Sequence, residues 1–395
     1  MKRRLYVWLS ALSLAALCGL TPRATANPPV YTITDLGTLG GYSSQALSLN
    51  GAAAVAGWST TADGFTHAFL YSNGVLQDLG TLPGGSNSYA QGINAAGQVV
   101  GYADTPDGFL HGFLYSNGQM QDLGTLPFGR FSNAQAINTA GQIAGNSDTV
   151  DGTYHAFLAT GGALADLGLL PGGTYSDAYA LNDSGQVVGA VTTAAGATHA
   201  FFYNGGTLQD IDSPSSPYSI ANAINNAGQV AGGVKSASDN LLYAFVYAGG
   251  AMTLVGGSDT VASGINNLGQ VVGSSGVLNG GTGAFLYSGG TLTDLIATLP
   301  ANSGWQLQAA TAINDNGQIA GYGVTSAGDQ HAFLLTPVPQ DTSPPTTTAS
   351  LSGSSIGANL YYGTVQVTLS ATDPDGVSDV AATYYQVDGN AAQAY

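Results

Sequence analysis

The sequence predicts an all-β protein: a seven-bladed β-propeller closed by its own N-terminal strand, followed by an incomplete C-terminal β-sandwich module. Three observations predict it. One unit of about 44 residues occurs seven times, each unit divides into four short strand-like runs, and the first copy is preceded by a piece that the last copy lacks.

Each unit carries Ile/Leu-Asn, a turn, Gly-Gln-Val-Val-Gly or a variant, then His-Ala-Phe or a relative, and usually Asp-Leu-Gly. Its asparagine falls at Asn50, Asn94, Asn138, Asn182, Asn225, Asn266 and Asn314. The His-Ala-Phe position starts at His67, His111, His155, His199, Tyr243, Gly283 and His331, and six of these seven are followed about ten residues later by the Asp-Leu-Gly position. That last strand is missing after His331. An orphan copy, Tyr31 to Gly37 with Asp35-Leu36-Gly37, stands instead ahead of the first unit. A ring explains the offset, because the first strand can complete the last sheet and leave no open edge.

The second unit shows the four strands in order. Tyr89 to Asn94 makes the first, Ala95-Ala96-Gly97 turns it into Gln98 to Tyr102, Leu110 to Tyr115 forms the third, and Ser116-Asn117-Gly118 is a hairpin turn into Met120 to Leu123. Helical periodicity is absent after the leader. The longest link, Thr81 to Ser88, must travel from the outer edge of one blade to the centre of the next. These links and the loops between second and third strands then share one face, and the tight Asn-x-x-Gly turns occupy the other.

The alanine four residues before each asparagine (Ala46, Ala90, Ala134, Ala178, Ala221, Ala262, Ala310) suits a crowded inner strand. The repeated phenylalanine, from Phe69 to Phe333, packs between neighbouring sheets as core. Tight turns between many short strands account for nearly all of the 58 glycines.

These residues resemble the bacterial extracellular HAF repeat family, named for the tripeptide seen at His67-Ala68-Phe69. The resemblance covers roughly Tyr31 to Leu335. It implies a secreted or surface-associated protein and brings no established reaction with it. Units five and six depart from the pattern, with Tyr243 and Gly283 in place of histidine and Thr253 in place of aspartate.

Residues 1–26 read as an export signal: Met1-Lys2-Arg3-Arg4 is basic, Leu5 to Leu20 is apolar, and Ala24-Thr25-Ala26 offers a cleavage site. The location expected is extracellular or at the cell surface of a bacterium. Cleavage removes Cys18, the only cysteine, and leaves Arg130 and Lys235 against 23 aspartates, a net charge near −21. Such a surface excludes nucleic acid as a ligand, since phosphates need basic side chains. No later apolar run reaches the roughly 20 residues that span a bilayer.

The ring is expected over residues 27–336, a Pro/Thr-rich linker over 337–348, and a partial immunoglobulin-like β module over 349–395. In that module Thr364 to Ser370 alternates as a strand, and a complete sandwich needs about 100 residues.

All five histidines sit at equivalent places in five different blades, too far apart to share a metal ion, so a structural hydrogen bond to a neighbouring loop is their expected role. No residue set converges as a catalytic triad does. Asp63, Asp107 and Asp151, with Asp104, Asp148, Asp239 and Asp329 nearby, recur in loops where Asp-Gly turns or calcium ligation are the two readings. Asp373, Asp375 and Asp379 form a second candidate calcium cluster. Large side chains that do not repeat strictly, Tyr42, Phe128, Phe131, Tyr175, Tyr218 and Trp305, lie in the links on the long-loop face. There they either stack on a sugar or plug the blade junctions.

The function expected from these readings is a monomeric, secreted, non-catalytic binding scaffold for an extracellular glycan or surface protein, with no cofactor beyond a possible calcium ion. The alternatives are a polysaccharide lyase or hydrolase with carboxylates at the channel mouth, and a structural matrix or envelope protein.

Overall fold

The computed structural model describes residues 30–212, 216–276 and 282–339, together with strands at 346–357, 360–372, 384–385 and 393–394. The candidate calcium residues Asp373, Asp375 and Asp379 lie outside the described residues. The chain divides into two units, one of them Val30–Val338. The other holds Pro339–Tyr395, where Thr346–Gly357 pairs antiparallel with Leu360–Thr372.

Val30–Val338 is all-β, with one short 3-10 turn at Leu295–Thr298 among the described residues. Five four-stranded antiparallel sheets follow one another, each in simple sequence order. The second unit supplies Ser88–Ile93, Val99–Asp104, Leu110–Ser116 and Gln119–Asp122, within two residues of the strands expected. A sixth assembly has eight strands and consists of two such sheets joined by one parallel bridge, Ser43 to Gln330. One half is the first repeat, Gly40–Leu49 to Val75–Asp78. The other is the last repeat, where Tyr31–Gly37 pairs antiparallel with Gln330–Pro337 and fills the missing fourth place.

Every letter of the repeat has a physical task. The seven alanines four places before the asparagine are completely buried, as are all seven repeat phenylalanines. The serines opening the second, third and fourth sheets each make two hydrogen bonds to the preceding repeat: Ser88 Oγ accepts from Ala68 N at 2.8 Å and donates to Gly80 O at 2.6 Å, and Ser132 and Ser176 repeat the pattern. The aspartate of Asp-Leu-Gly caps its own turn, with Asp78 Oδ1 accepting from Gly80 N at 2.8 Å.

Turns do not explain all the glycine. The second glycine of Gly-Gln-Val-Val-Gly lies inside a strand, directly against the inner strand of its own sheet. A Cβ on Gly189 would stand 1.9 Å from the Asp177 carbonyl oxygen, and one on Gly101 1.9 Å from that of Tyr89. Here glycine permits close backbone approach.

The histidines also differ from expectation. Each contacts the neighbouring strand of its own sheet, and His199 alone also reaches a loop carbonyl: His67 Nδ1 meets the Asp78 carboxylate at 2.9 Å, and His111–Asp122, His155–Asp166 and His199–Asp210 repeat the pair at 2.7–2.8 Å. The register places Leu254, not Thr253, opposite Phe245 and so in the aspartate position of the fifth repeat. Histidine and aspartate are thus lost together there.

Candidate functional site

The asparagines form the innermost feature of the molecule. Asn50 Nδ2 donates to Asn94 O at 3.0 Å, Asn94 to Asn138 O, Asn138 to Asn182 O, Asn182 to Asn225 O, Asn225 to Asn266 O, and Asn266 to Asn314 O. Asn314 Nδ2 donates to Asn50 O at 3.0 Å, which returns the series to its start. Each Oδ1 holds its own turn; that of Asn182 accepts from Ser184 N and Gln186 N. The sequence marks these asparagines as turn residues, but only their three-dimensional succession reveals the ring.

The ring surrounds a channel. On the asparagine-turn side lies a cavity of about 430 Å³ lined by the seven asparagines and the residues that follow them. Deeper in is a chamber of about 280 Å³ walled by the inner strands, with Gln91, Gln135, Tyr179 and Asn222 among its residues. Of these two, the larger is on the tight-turn side; a third concavity, of about 530 Å³, lies among the long links and is lined by Leu82, Pro83, Pro106 and His111.

Those candidates do not gather into one exposed patch. Tyr42 and Phe128 are exposed, Phe128 at a positive φ of 65°. Phe131 packs edge-on against Phe109 at 5.0 Å, and Trp305 packs edge-on against the core residue Phe333 at 5.9 Å. Both rings are therefore taken up by other aromatic side chains. Tyr175 and Tyr218 are half-buried and belong to a different cluster, built around a residue that sequence reasoning passed over.

That residue is Asp177, on the inner strand Ser176–Leu181. It is the sole acid on any of the inner strands, and its side chain is 6% exposed. Tyr175 donates its hydroxyl proton to Asp177 Oδ2 at 2.9 Å, while Oδ1 has no hydrogen-bond partner. Burial raises the Asp177 carboxyl from 3.8 to about 6, against the lowering effect of hydrogen bonds from Tyr175 and Tyr179. Burial and the adjacent carboxylate push both tyrosines above their ordinary range, and Tyr218 adds to the effect on Tyr179. Tyr175 and Tyr179 thus flank one carboxyl, Tyr218 acts on Tyr179, and Tyr179 carries the cluster to the chamber wall. The sequence signal available was an aspartate at a position held elsewhere by Gln45, Tyr89, Asn133, Ile220, Val261 and Ala309.

Most of the loop aspartates are spent on local structure. Asp104 Oδ1 accepts from Ser86 N and Asn87 N, and Asp148 Oδ1 from Arg130 N and Phe131 N, which anchors the long links. Asp107 accepts from Thr105, and Asp151 from Thr149 and Thr153. No group of three His, Cys, Asp or Glu side chains that could hold a metal ion occurs among the described residues. His199 differs from the other four in that its Nε2 also donates to Ser216 O at 3.0 Å. Burial opposes its charge, but the Asp210 carboxylate and the Ser216 carbonyl outweigh it and raise its pKa.

No family model matches the chain, and no curated protein matches it. Among solved structures it is similar to a puromycin-hydrolysing peptidase from Mycobacterium tuberculosis, with a TM-score of 0.50 at 12% identity over 82% of this chain and 58% of that one. It is also similar to a puromycin hydrolase, with a TM-score of 0.43 at 11% identity over 74% of this chain and 54% of that one. The chain thus spans less than two thirds of the length of either. At such identity the likeness to the peptidase is one of fold. The peptidase is a hydrolytic enzyme, and this finding overturns the expectation of a non-catalytic binding scaffold and of a protein that is not an enzyme.

Proposed function

We propose that the chain is an exported seven-bladed β-propeller of HAF repeats, closed by its N-terminal strand, and that it acts in hydrolysis with Asp177 as its proton-transfer group. The cyclic run of asparagine hydrogen bonds and the pairing of Tyr31–Gly37 with the last repeat support the architecture.

The observation that carries the function is a buried carboxyl of raised pKa with one unpaired oxygen, held by Tyr175 and adjoining Tyr179 of the chamber wall. A carboxyl that titrates near 6 holds both protonation states in useful amounts close to neutrality. As the neutral acid it can protonate a leaving group; as the anion it can draw a proton from attacking water. Tyr175 is a positioning residue that fixes Oδ2 and leaves Oδ1 for the transfer. Amide and ester bonds are the first substrates to test, because the solved chain of similar fold is a peptidase.

Hydrolysis of puromycin, aminoacyl anilides, simple esters and neutral oligosaccharides by the full chain would be followed from pH 4 to 9. Turnover with a bend near pH 6, reduced roughly 100-fold or more in Asp177→Asn, is the expected result. Absence of turnover on every substrate, or full activity in the folded Asp177→Asn variant, would overturn the reading.

A further inference from the structure

We propose that the channel mouth on the asparagine-turn side binds the carboxamide side chain of an asparagine in a peptide ligand. The site is separate from Asp177 and does not depend on the hydrolytic reading.

At this mouth the residue after each ring asparagine repeats one hydrogen bond to its counterpart in the next repeat. Thr139 N donates to Asp183 Oδ1 at 3.0 Å, and Asp183 N to Asn226 Oδ1 at 3.0 Å. Asn226 N donates to Asn267 Oδ1 at 2.8 Å, and Asn267 N to Asp315 Oδ1 at 2.8 Å. The series stops at Asp315, because the side chains of its next two members, Gly51 and Ala95, carry no acceptor, and the hydroxyl of the third, Thr139, is directed to Asp183 Oδ1 at 2.7 Å.

The backbone N–H groups of Asp315, Gly51 and Ala95 therefore form an arc of three donors, on successive repeats, with no acceptor among the described residues. All three residues line the 430 Å³ cavity. In four repeats the equivalent donor is met by an oxygen of an aspartate or asparagine side chain, so the complement of the empty positions is written in the protein itself. The two small residues also leave the space that such a side chain fills elsewhere. Charge decides between carboxylate and carboxamide. Asp183 and Asp315 line the same mouth and the chain carries a formal charge of −17, which repels a second carboxylate. A carboxamide offers the same oxygen without that repulsion.

The test is a titration of the ¹⁵N-labelled full chain with acetyl-Gly-Asn-Gly-amide, its aspartate and alanine analogues, and an N-acetylglucosamine oligomer. The amides of Asp315, Gly51 and Ala95 are expected to shift with the asparagine peptide, less with the aspartate peptide at low salt, and not with the alanine peptide. Gly51→Asn/Ala95→Asn supplies acceptors for the amides of residues 315 and 51 by the repeat's own means. A Cβ on Gly51 meets nothing within 4 Å, so the variant is expected to fold, to protect the Asp315 amide from exchange, and to weaken binding at least about tenfold. Silence at the three amides, undiminished binding by the folded double variant, or shifts produced by the sugar and not by the peptide would each overturn the proposal.

Discussion

His331 and Asp35, 296 residues apart in sequence, are joined from Nδ1 to the carboxylate at 2.9 Å, the same contact that His67 and Asp78 make at a separation of 11. The first described strand and the last repeat therefore rebuild, across the whole chain, an interaction that is local everywhere else. Asp35→Ala removes a partly exposed histidine–carboxylate contact and is expected to cost no more than about 1 kcal/mol. Deleting residues 31–37 exposes the edge of Gln330–Pro337 and removes the buried Tyr31 and Leu36 from the core clusters that hold Phe333, Leu334 and Leu335, so a large fall in melting temperature and self-association are expected. Calorimetry and light scattering check both. An unchanged melting temperature after the deletion would mean that the strand does not close the structure.

Asn182→Ala is expected to be far more costly than its one missing amide suggests. Its Nδ2 links to Asn225 O and Gln186 Oε1, and its Oδ1 serves Ser184 N and Gln186 N. The residue is 3% exposed, so the groups left behind are poorly placed to find water. Each stranded partner costs about 1–3 kcal/mol, and urea unfolding should show a loss at the upper end of that range or beyond. A loss below about 1 kcal/mol would show that the ring is decorative.

Gly189→Ala forces a Cβ to within 1.9 Å of the Asp177 carbonyl oxygen, where backbone, not a side chain, must yield. The expected result is failure to fold or a loss above roughly 3 kcal/mol, comparable with truncating a core phenylalanine. Gly232→Ala in the next repeat, with the same 1.9 Å approach to Ile220 O, should behave alike. A folded, stable Gly189→Ala protein would require the inner strand to shift, visible as altered chemical shifts from Ser176 to Leu181.

Repetition made the fold legible. Seven alanines and seven phenylalanines at fixed offsets read directly as inner strand and core, and strand limits followed from turn residues to within two positions in the second unit. The strand glycine did not announce itself, because a one-letter pattern cannot distinguish a positive φ from a close backbone approach. Nor did the aspartate position of the fifth repeat, where Leu254 is fixed by pairing with Phe245 rather than by similarity to Asp-Leu-Gly. Asp177 was hidden for a deeper reason. Its pKa depends on burial and on two tyrosines held close to it, and desolvation is a property of the assembled strands. Tyr175 and Tyr218 stand out in the sequence only as large side chains that do not repeat, and nothing in the pattern links Tyr175 to the Asp177 carboxyl, which it holds at 2.9 Å.

The pH dependence of stability tests the Asp177 environment without any substrate. Its carboxyl titrates at about 6 in the folded protein and at 3.8 ordinarily, so between these values the folded state holds the proton more tightly than the unfolded state. Stability from this group therefore falls as pH rises through that window, and the full penalty is present above about 6. Asp177→Asn keeps the shape and removes the ionisation. The difference in unfolding free energy, variant minus wild type, is expected to lie near zero below about pH 3 and to climb to a plateau of about 3 kcal/mol above pH 7. Urea denaturation of both proteins at five or six pH values measures it. A difference independent of pH would mean that the carboxyl is not desolvated, and would remove the basis for assigning it proton transfer. A rising difference with its midpoint between 4 and 6 would show that the cluster formed by Tyr175, Tyr179 and Asp177 holds its proton as a general acid must.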